Sequence, residues 1–113
     1  MAETLRQYKA QLLRALAHPT RIAILEALRG GEVASGALLG QLQIEQANLS
    51  QHLAVLRARQ VVVNRKVGNQ VFYTVRDPVL IQVLDLLREY CQGQLRATLT
   101  TLGEIDGSPS RPA

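Results

Sequence analysis

The sequence predicts a mainly α fold with one small β-hairpin, and three observations carry that reading. Leu, Val, Ile and Ala dominate an apolar fraction of 47%, while aromatics make up only 4%, a mix that leans toward helical cores. Apolar residues recur at three- and four-residue steps up to Arg59 and again beyond Asp77, the spacing of one helix face. Between these regions "VVVNRKV" and "QVFYTV" are rich in β-branched and aromatic residues, with Gly68-Asn69 separating them.

The first helix is predicted from about Glu3 to Ala17, with Leu5, Tyr8, Leu12, Leu13 and Leu16 as its apolar stripe. "HPTR" interrupts it, because Pro19 disfavours the α region at His18 and suits the first turn of a new helix. The second helix follows as "TRIAILEALR", with Ile22, Leu25 and Leu28 at helical spacing, and stops at Gly30-Gly31. Ser35 is placed to cap a short third helix, "SGALLGQLQ", that buries Leu38, Leu39 and Leu42. A turn near Gln43 to Glu45 leads to a fourth helix. In the hairpin, Gly precedes Asn at the two-residue turn, as a type II′ turn requires. A last helix is predicted from about Pro78 to Leu102, with Leu80, Leu84, Leu87, Cys91 and Leu95 along its seam. That helix has more apolar surface than so small a domain needs to cover itself. The stretch from Gly103 on, "GEIDGSPSRPA", carries breakers and no core pattern, and is predicted to be a disordered tail. A domain over residues 1–102 is therefore expected. A short helix, a tight turn, a second helix and then a hairpin is the plan of a winged helix-turn-helix.

The composition limits what the chain does. Its 113 residues allow one domain with one modest core. No apolar run approaches the roughly 18 to 20 residues needed to span a bilayer. The charged opening "MAETLRQYKAQLLRAL" is unlike a secretory signal, so a cytoplasmic location with no membrane partner is expected. Cys91 is the sole cysteine, which excludes an intrachain disulfide and a cysteine-rich zinc site within the chain.

The charge is unevenly distributed. Five of the 13 basic residues (Arg57, Arg59, Arg65, Lys66 and Arg76) fall between Gln46 and Arg76, which holds none of the 9 acidic ones. A one-signed segment on an otherwise balanced chain points to a polyanion partner. Running into it, "IEQANLSQHLAVLR" (44–57) puts Leu49, Leu53 and Leu56 on one helix face. Its other positions carry amides, a hydroxyl and an imidazole, where a surface helix would ordinarily carry Glu and Lys. Gln and Asn pair bidentately with adenine in the major groove, while Ser and His reach bases or phosphates. The expected DNA-binding set is Gln46, Ala47, Asn48, Ser50, Gln51, His52, Arg57 and Arg59 on the helix, with Arg65, Lys66 and Asn69 on the hairpin. An enzyme is not expected, since Ser50 and His52 are two apart on a helix and do not face each other. No glycine-rich phosphate loop is present. A winged-helix module that binds protein instead of DNA is the alternative, and the acid-free segment argues against it.

"ALAHPTRIAILEALRGGE", "NLSQHLAVLRARQVV" and "RKVGNQVFYTV" together resemble the bacterial ArsR/SmtB repressor family over residues 8–95. The resemblance implies a homodimeric repressor that binds an imperfectly palindromic double-stranded operator and leaves it when an inducer binds. It also implies a subunit interface built from the first and last helices, here Leu5, Tyr8, Leu12, Leu84, Leu87, Cys91 and Leu95.

The family's metal sites do not carry over. Its E-L-C-V-C-D-L stretch reads Glu32, Val33, Ala34, Ser35, Gly36, Ala37, Leu38 here, without either cysteine. Its Asp-x-His-x10-His-x2-Glu pattern reads Asp77, Val79, Tyr90, Gly93, leaving one carboxylate where zinc needs about four ligands. No metal and no cofactor are therefore expected. His18 beside Pro19 is expected to be a helix-junction residue. Cys91 is either packing on the helix seam or a redox-responsive thiol, and a constitutive repressor with no inducer is open as well.

Overall fold

The computed structural model describes residues 1–105. Along them run α1 (Ala2–Leu16), α2 (Pro19–Ala27), β1 (Val33–Ala34), α3 (Ser35–Leu42) and α4 (Gln46–Ala58), followed by β2 (Val62–Val67), β3 (Gln70–Val75) and α5 (Pro78–Ile105). The chain divides into a unit from Met1 to Pro78 and a second beginning at Val79. The class is as predicted, mainly α with a small sheet, although the sheet has one strand more than expected.

The break between α1 and α2 follows the local chemistry. His18 takes the extended conformation imposed by the following proline (φ −153°, ψ 131°), and Pro19 occupies the first turn of α2. The Thr20 amide donates to His18 Nδ1 at 3.0 Å, so the imidazole caps the helix. At the other end Gly31 adopts φ +124° and its amide donates to the Leu28 carbonyl at 3.0 Å. Ser35 does not cap α3. It is the first helical residue, and the capping position is Ala34, which makes no side-chain cap bond.

Ala34 falls at the capping position because β1 runs straight into α3, and its methyl side chain has no acceptor to offer. The sheet order is β1-β3-β2, antiparallel throughout, with Val33 opposite Tyr73 and Ala34 opposite Phe72. In the hairpin Val67 pairs with Gln70, and Gly68 alone of the turn has positive φ, at +60°, as a type II′ turn requires.

The core of the first unit is wholly aliphatic. Ile24 and Leu25 of α2 and Leu28 at its C-terminal end meet Leu38 of α3, Leu49, Leu53 and Leu56 of α4, and Val61 and Val62 at the start of the sheet. Ala15 and Leu16 close it from α1. Ile22, expected on the buried face of α2, is exposed, and Ile24 takes its place. Leu39 and Leu42 are half-buried. Along α1, Leu5, Tyr8 and Leu13 are exposed while Leu12 is half-buried.

Helix α5 is 28 residues long, and from Leu86 to Leu102 every residue is exposed. Leu87, Cys91 and Leu95 lie in that stretch, whereas Leu84 is half-buried. Residues 103–105, predicted to open the disordered tail, are helical. The rest of that expected tail, 106–113, lies outside the described residues. No helix among the described residues is long and apolar enough to cross a membrane.

Candidate nucleic-acid interface

The site is built on α4. Helix α3 ends at Gln43, which enters the left-handed region (φ 54°) and returns its amide to the Leu39 carbonyl at 2.9 Å. Glu45 then opens α4 with extended backbone, and its carbonyl accepts from Leu49 N at 3.0 Å. This tight turn sets α3 and α4 as the two arms of a helix-turn-helix. Leu49, Leu53 and Leu56, at most 3% exposed, lock α4 in rotation. Gln46, Ala47, Asn48, Ser50 and Gln51 are consequently left exposed. Among these five side chains there is no charge, and each polar one can donate and accept hydrogen bonds.

His52 departs from the expected outward row. It is half-buried, and an Arg21 Nη1 proton points to its Nδ1 at 3.2 Å. Guanidinium has no acceptor, so Nδ1 must accept and the imidazole must be neutral there. The His18 ring lies 4.4 Å away, centroid to centroid, tilted by 44°. Removal from water, followed by the charges of His18 and Arg21, holds the His52 pKa below its ordinary value. The reason was present in the spacing: His52 is three residues after Leu49 and four before Leu56, so it flanks the apolar row. Arg21 is a residue that the linear pattern did not mark. Its Nε donates to the Ala15 carbonyl at 2.6 Å, so one guanidinium joins the end of α1, the first turn of α2 and the back of α4.

The basic residues surround this face with different partners. Arg57 is exposed in the last turn of α4. Arg59 Nη1 donates to Gln11 Oε1 of α1 at 2.8 Å. An open groove of about 390 Å³ lies there, lined by Gln11, Arg14, Ala15, Val55, Ala58 and Arg59. Arg14, 43 positions before Arg57 in the chain, is thus brought beside the basic end of α4. Arg76 donates to the Gln60 side chain across the start of the sheet. On the hairpin, Lys66 and Asn69 are exposed.

Arg65 is bound more tightly than its place in an acid-free segment implied. Its Nε and Nη2 donate to Glu32 Oε2 and Oε1 at 2.6 and 2.7 Å. Its guanidinium carbon lies 5.3 Å from the centroid of the Phe72 ring. The hydrogen bond from Arg65 is the main reason that the Glu32 carboxyl titrates below its ordinary value. Cys91 is exposed on α5, and among the described residues no three His, Cys, Asp or Glu side chains gather where they could hold a metal ion.

A buried leucine row, a tight turn, a polar uncharged outer face and a basic hairpin define a winged helix-turn-helix regulator. The helix-turn-helix domain family matches residues 16–63. The chain is 39% identical over 105 residues, 92% of each protein, to the uncharacterised HTH-type transcriptional regulator Rv0081 of Mycobacterium tuberculosis. The crystal structure of Rv0081 superposes with a TM-score of 0.77, covering 84% of this chain and 96% of that one. The transcriptional activator HlyU of Vibrio cholerae is 42% identical over 82 residues, 72% of this chain and 76% of its own. The transcriptional repressor SmtB of Mycobacterium tuberculosis is 39% identical over 74 residues, 66% of this chain and 55% of its own. The chain belongs to the ArsR/SmtB family of winged helix-turn-helix transcriptional regulators.

Proposed function

We propose that the protein is a homodimeric repressor that occupies an imperfectly palindromic operator in the cytoplasm. The observation that carries this reading is the uncharged polar row Gln46, Ala47, Asn48, Ser50 and Gln51, held outward by three buried leucines. In the major groove Gln46, Asn48 and Gln51 offer bidentate amides to adenine, and Ala47 offers a methyl to thymine. Arg57, Arg59 and Lys66 anchor phosphates on either side, and Asn69 at the wing tip lies against the backbone.

The dimer rests on the exposed apolar faces of two elements. On α1 these are Leu5 and Tyr8; on α5 they are Leu87, Tyr90, Leu95 and Leu99, each 49% exposed or more in the single chain. Surface of that kind along a helix favours burial against a second copy. A two-fold axis would set two α4 helices roughly one helical turn, about 34 Å, apart on the duplex. Release by metal is not part of the proposal, since the family's ligand positions carry Ala34, Gly36, Val79, Tyr90 and Gly93. Repression is then constitutive or ends through chemistry at the Cys91 thiol.

The test is selection of bound sites from genomic DNA, followed by titration of the best site and of random duplex at several salt concentrations. An inverted repeat with a steep negative salt slope is expected. Equal affinity for random duplex, or binding that ignores salt, would overturn the reading.

A further inference from the structure

We propose that Glu32 is a positioning residue for DNA recognition, holding Arg65 side-on so that the end of its guanidinium meets a pair of acceptors on a base edge. The inference rests on the reading that the wing touches DNA, and it separates Arg65 from the phosphate-anchoring cations around it.

The sheet makes the arrangement. Ala34 on β1, Phe72 on β3 and Arg65 on β2 form one rank across the three strands. Glu32 lies just before β1, at the edge of the sheet opposite to Arg65. The arginine therefore reaches back over the Phe72 ring, 5.3 Å from its centroid, to meet the carboxylate at 2.6 and 2.7 Å. Ring and carboxylate together fix the plane of the guanidinium.

The donors show what remains available. Glu32 takes the edge formed by Nε and Nη2. Of the five N–H groups of a guanidinium, both on Nη1 and the outer one on Nη2 are left over. The side chain is still 62% exposed. The outer Nη2 proton and the Nη1 proton beside it form the end-on fork that suits two adjacent acceptors.

Charge decides which acceptors. A carboxylate within 3 Å of the guanidinium repels a phosphate and cancels the charge on which counterion release depends. A base edge carries no formal charge and rewards direction, which this pair supplies. As an exposed ion pair it contributes little to folding, so orientation is its main effect.

The experiment uses the full chain and a high-affinity duplex selected with the wild-type protein. Affinity is measured for that duplex, for variants changed at each base pair under the wing, and for random DNA, with thermal melting in parallel. Glu32→Gln is expected to lose about tenfold on the selected duplex while random-sequence binding holds or tightens, the carboxylate no longer opposing phosphate. The discrimination at one or two wing-proximal base pairs disappears. Arg65→Ala loses the same discrimination, and the double variant loses no more. Lys66→Ala, by contrast, weakens every duplex alike and lowers the salt slope by about one. Tighter binding of Glu32→Gln to all duplexes would make Glu32 a mere competitor of phosphate and overturn the proposal. An unchanged profile, or a uniform loss that follows a lowered melting temperature, overturns it too. Failure of the wild type to prefer any sequence would instead refute the DNA-reading function itself, a result distinct from all of these.

Discussion

Arg21 and His52 meet at 3.2 Å behind the polar face of α4, with the arginine as donor and a neutral imidazole as acceptor. The same guanidinium holds the Ala15 carbonyl at 2.6 Å, and the His18 ring lies tilted beside His52, 4.4 Å between centroids. The Arg21 guanidinium therefore ties α1, α2 and α4 together, and its link to α4 requires an imidazole without a proton on Nδ1.

This predicts acid sensitivity. His52 has its folded pKa lowered, first by loss of water and then by the charges of His18 and Arg21. The unfolded chain, with an imidazole value of about 6.5, binds the proton more readily than the folded one. The stabilisation is complete above that value and is lost as pH falls through the lowered folded value. Urea midpoints measured stepwise from neutral pH downward should decline, and operator affinity should decline with them. His52→Gln should flatten the part of the slope that belongs to this contact. A wild-type profile parallel to that of His52→Gln across the window would refute the assignment.

Arg21 itself should be hard to replace. Arg21→Lys keeps the charge but has one nitrogen for two acceptors that lie in different directions. A loss of about 1–3 kcal/mol is expected for either Lys or Ala, read from denaturant unfolding at neutral pH. Full stability in Arg21→Lys would mean that only the positive charge matters there.

How far these features could be read from the chain differs by residue. The rotation of α4 was legible, because Leu49, Leu53 and Leu56 repeat at the period of the helix itself. The hairpin was legible through Gly68-Asn69, whose chemistry is local. Strand β1 was not, since two residues become a strand only by pairing with Phe72 and Tyr73, far along the chain. Missing it also misplaced the cap of α3, which falls on Ala34 and not on Ser35. The Glu32–Arg65 pair was hidden for the same reason: charge counted along the chain leaves Glu32 outside the basic segment, and only the sheet brings it there. His52 looks outward in the sequence because it is polar, and its place beside the leucine row is what turns it inward.

Gln51 and Arg57 should separate reading from anchoring. Gln51 is exposed on the uncharged face, and Arg57 is exposed in the last turn of α4. Gln51→Ala should cost about 1–3 kcal/mol on the preferred duplex and little on random DNA. Arg57→Ala should weaken both and lower the salt slope by about one. Competition titrations at two salt concentrations decide this, and a uniform loss in Gln51→Ala would remove it from the reading face.

Two leucines should fail in different ways. Leu56 is 0% exposed, wedged within the aliphatic core, while Leu87 on α5 is 49% exposed in the single chain. Leu56→Ala removes buried methyl groups and leaves a cavity, so a loss of about 2–5 kcal/mol is expected in unfolding experiments. Leu87→Glu removes nothing from that core. If α5 pairs with a second copy, the glutamate places a charge in a water-free interface, at a cost that far exceeds its effect on the isolated helix. Sedimentation should then show monomer at concentrations where the wild type is dimeric, with the far-ultraviolet circular dichroism preserved. Operator affinity should drop with the dimer, because each half-site then binds alone. A Leu87→Glu protein that sediments like the wild type would remove Leu87 from the interface.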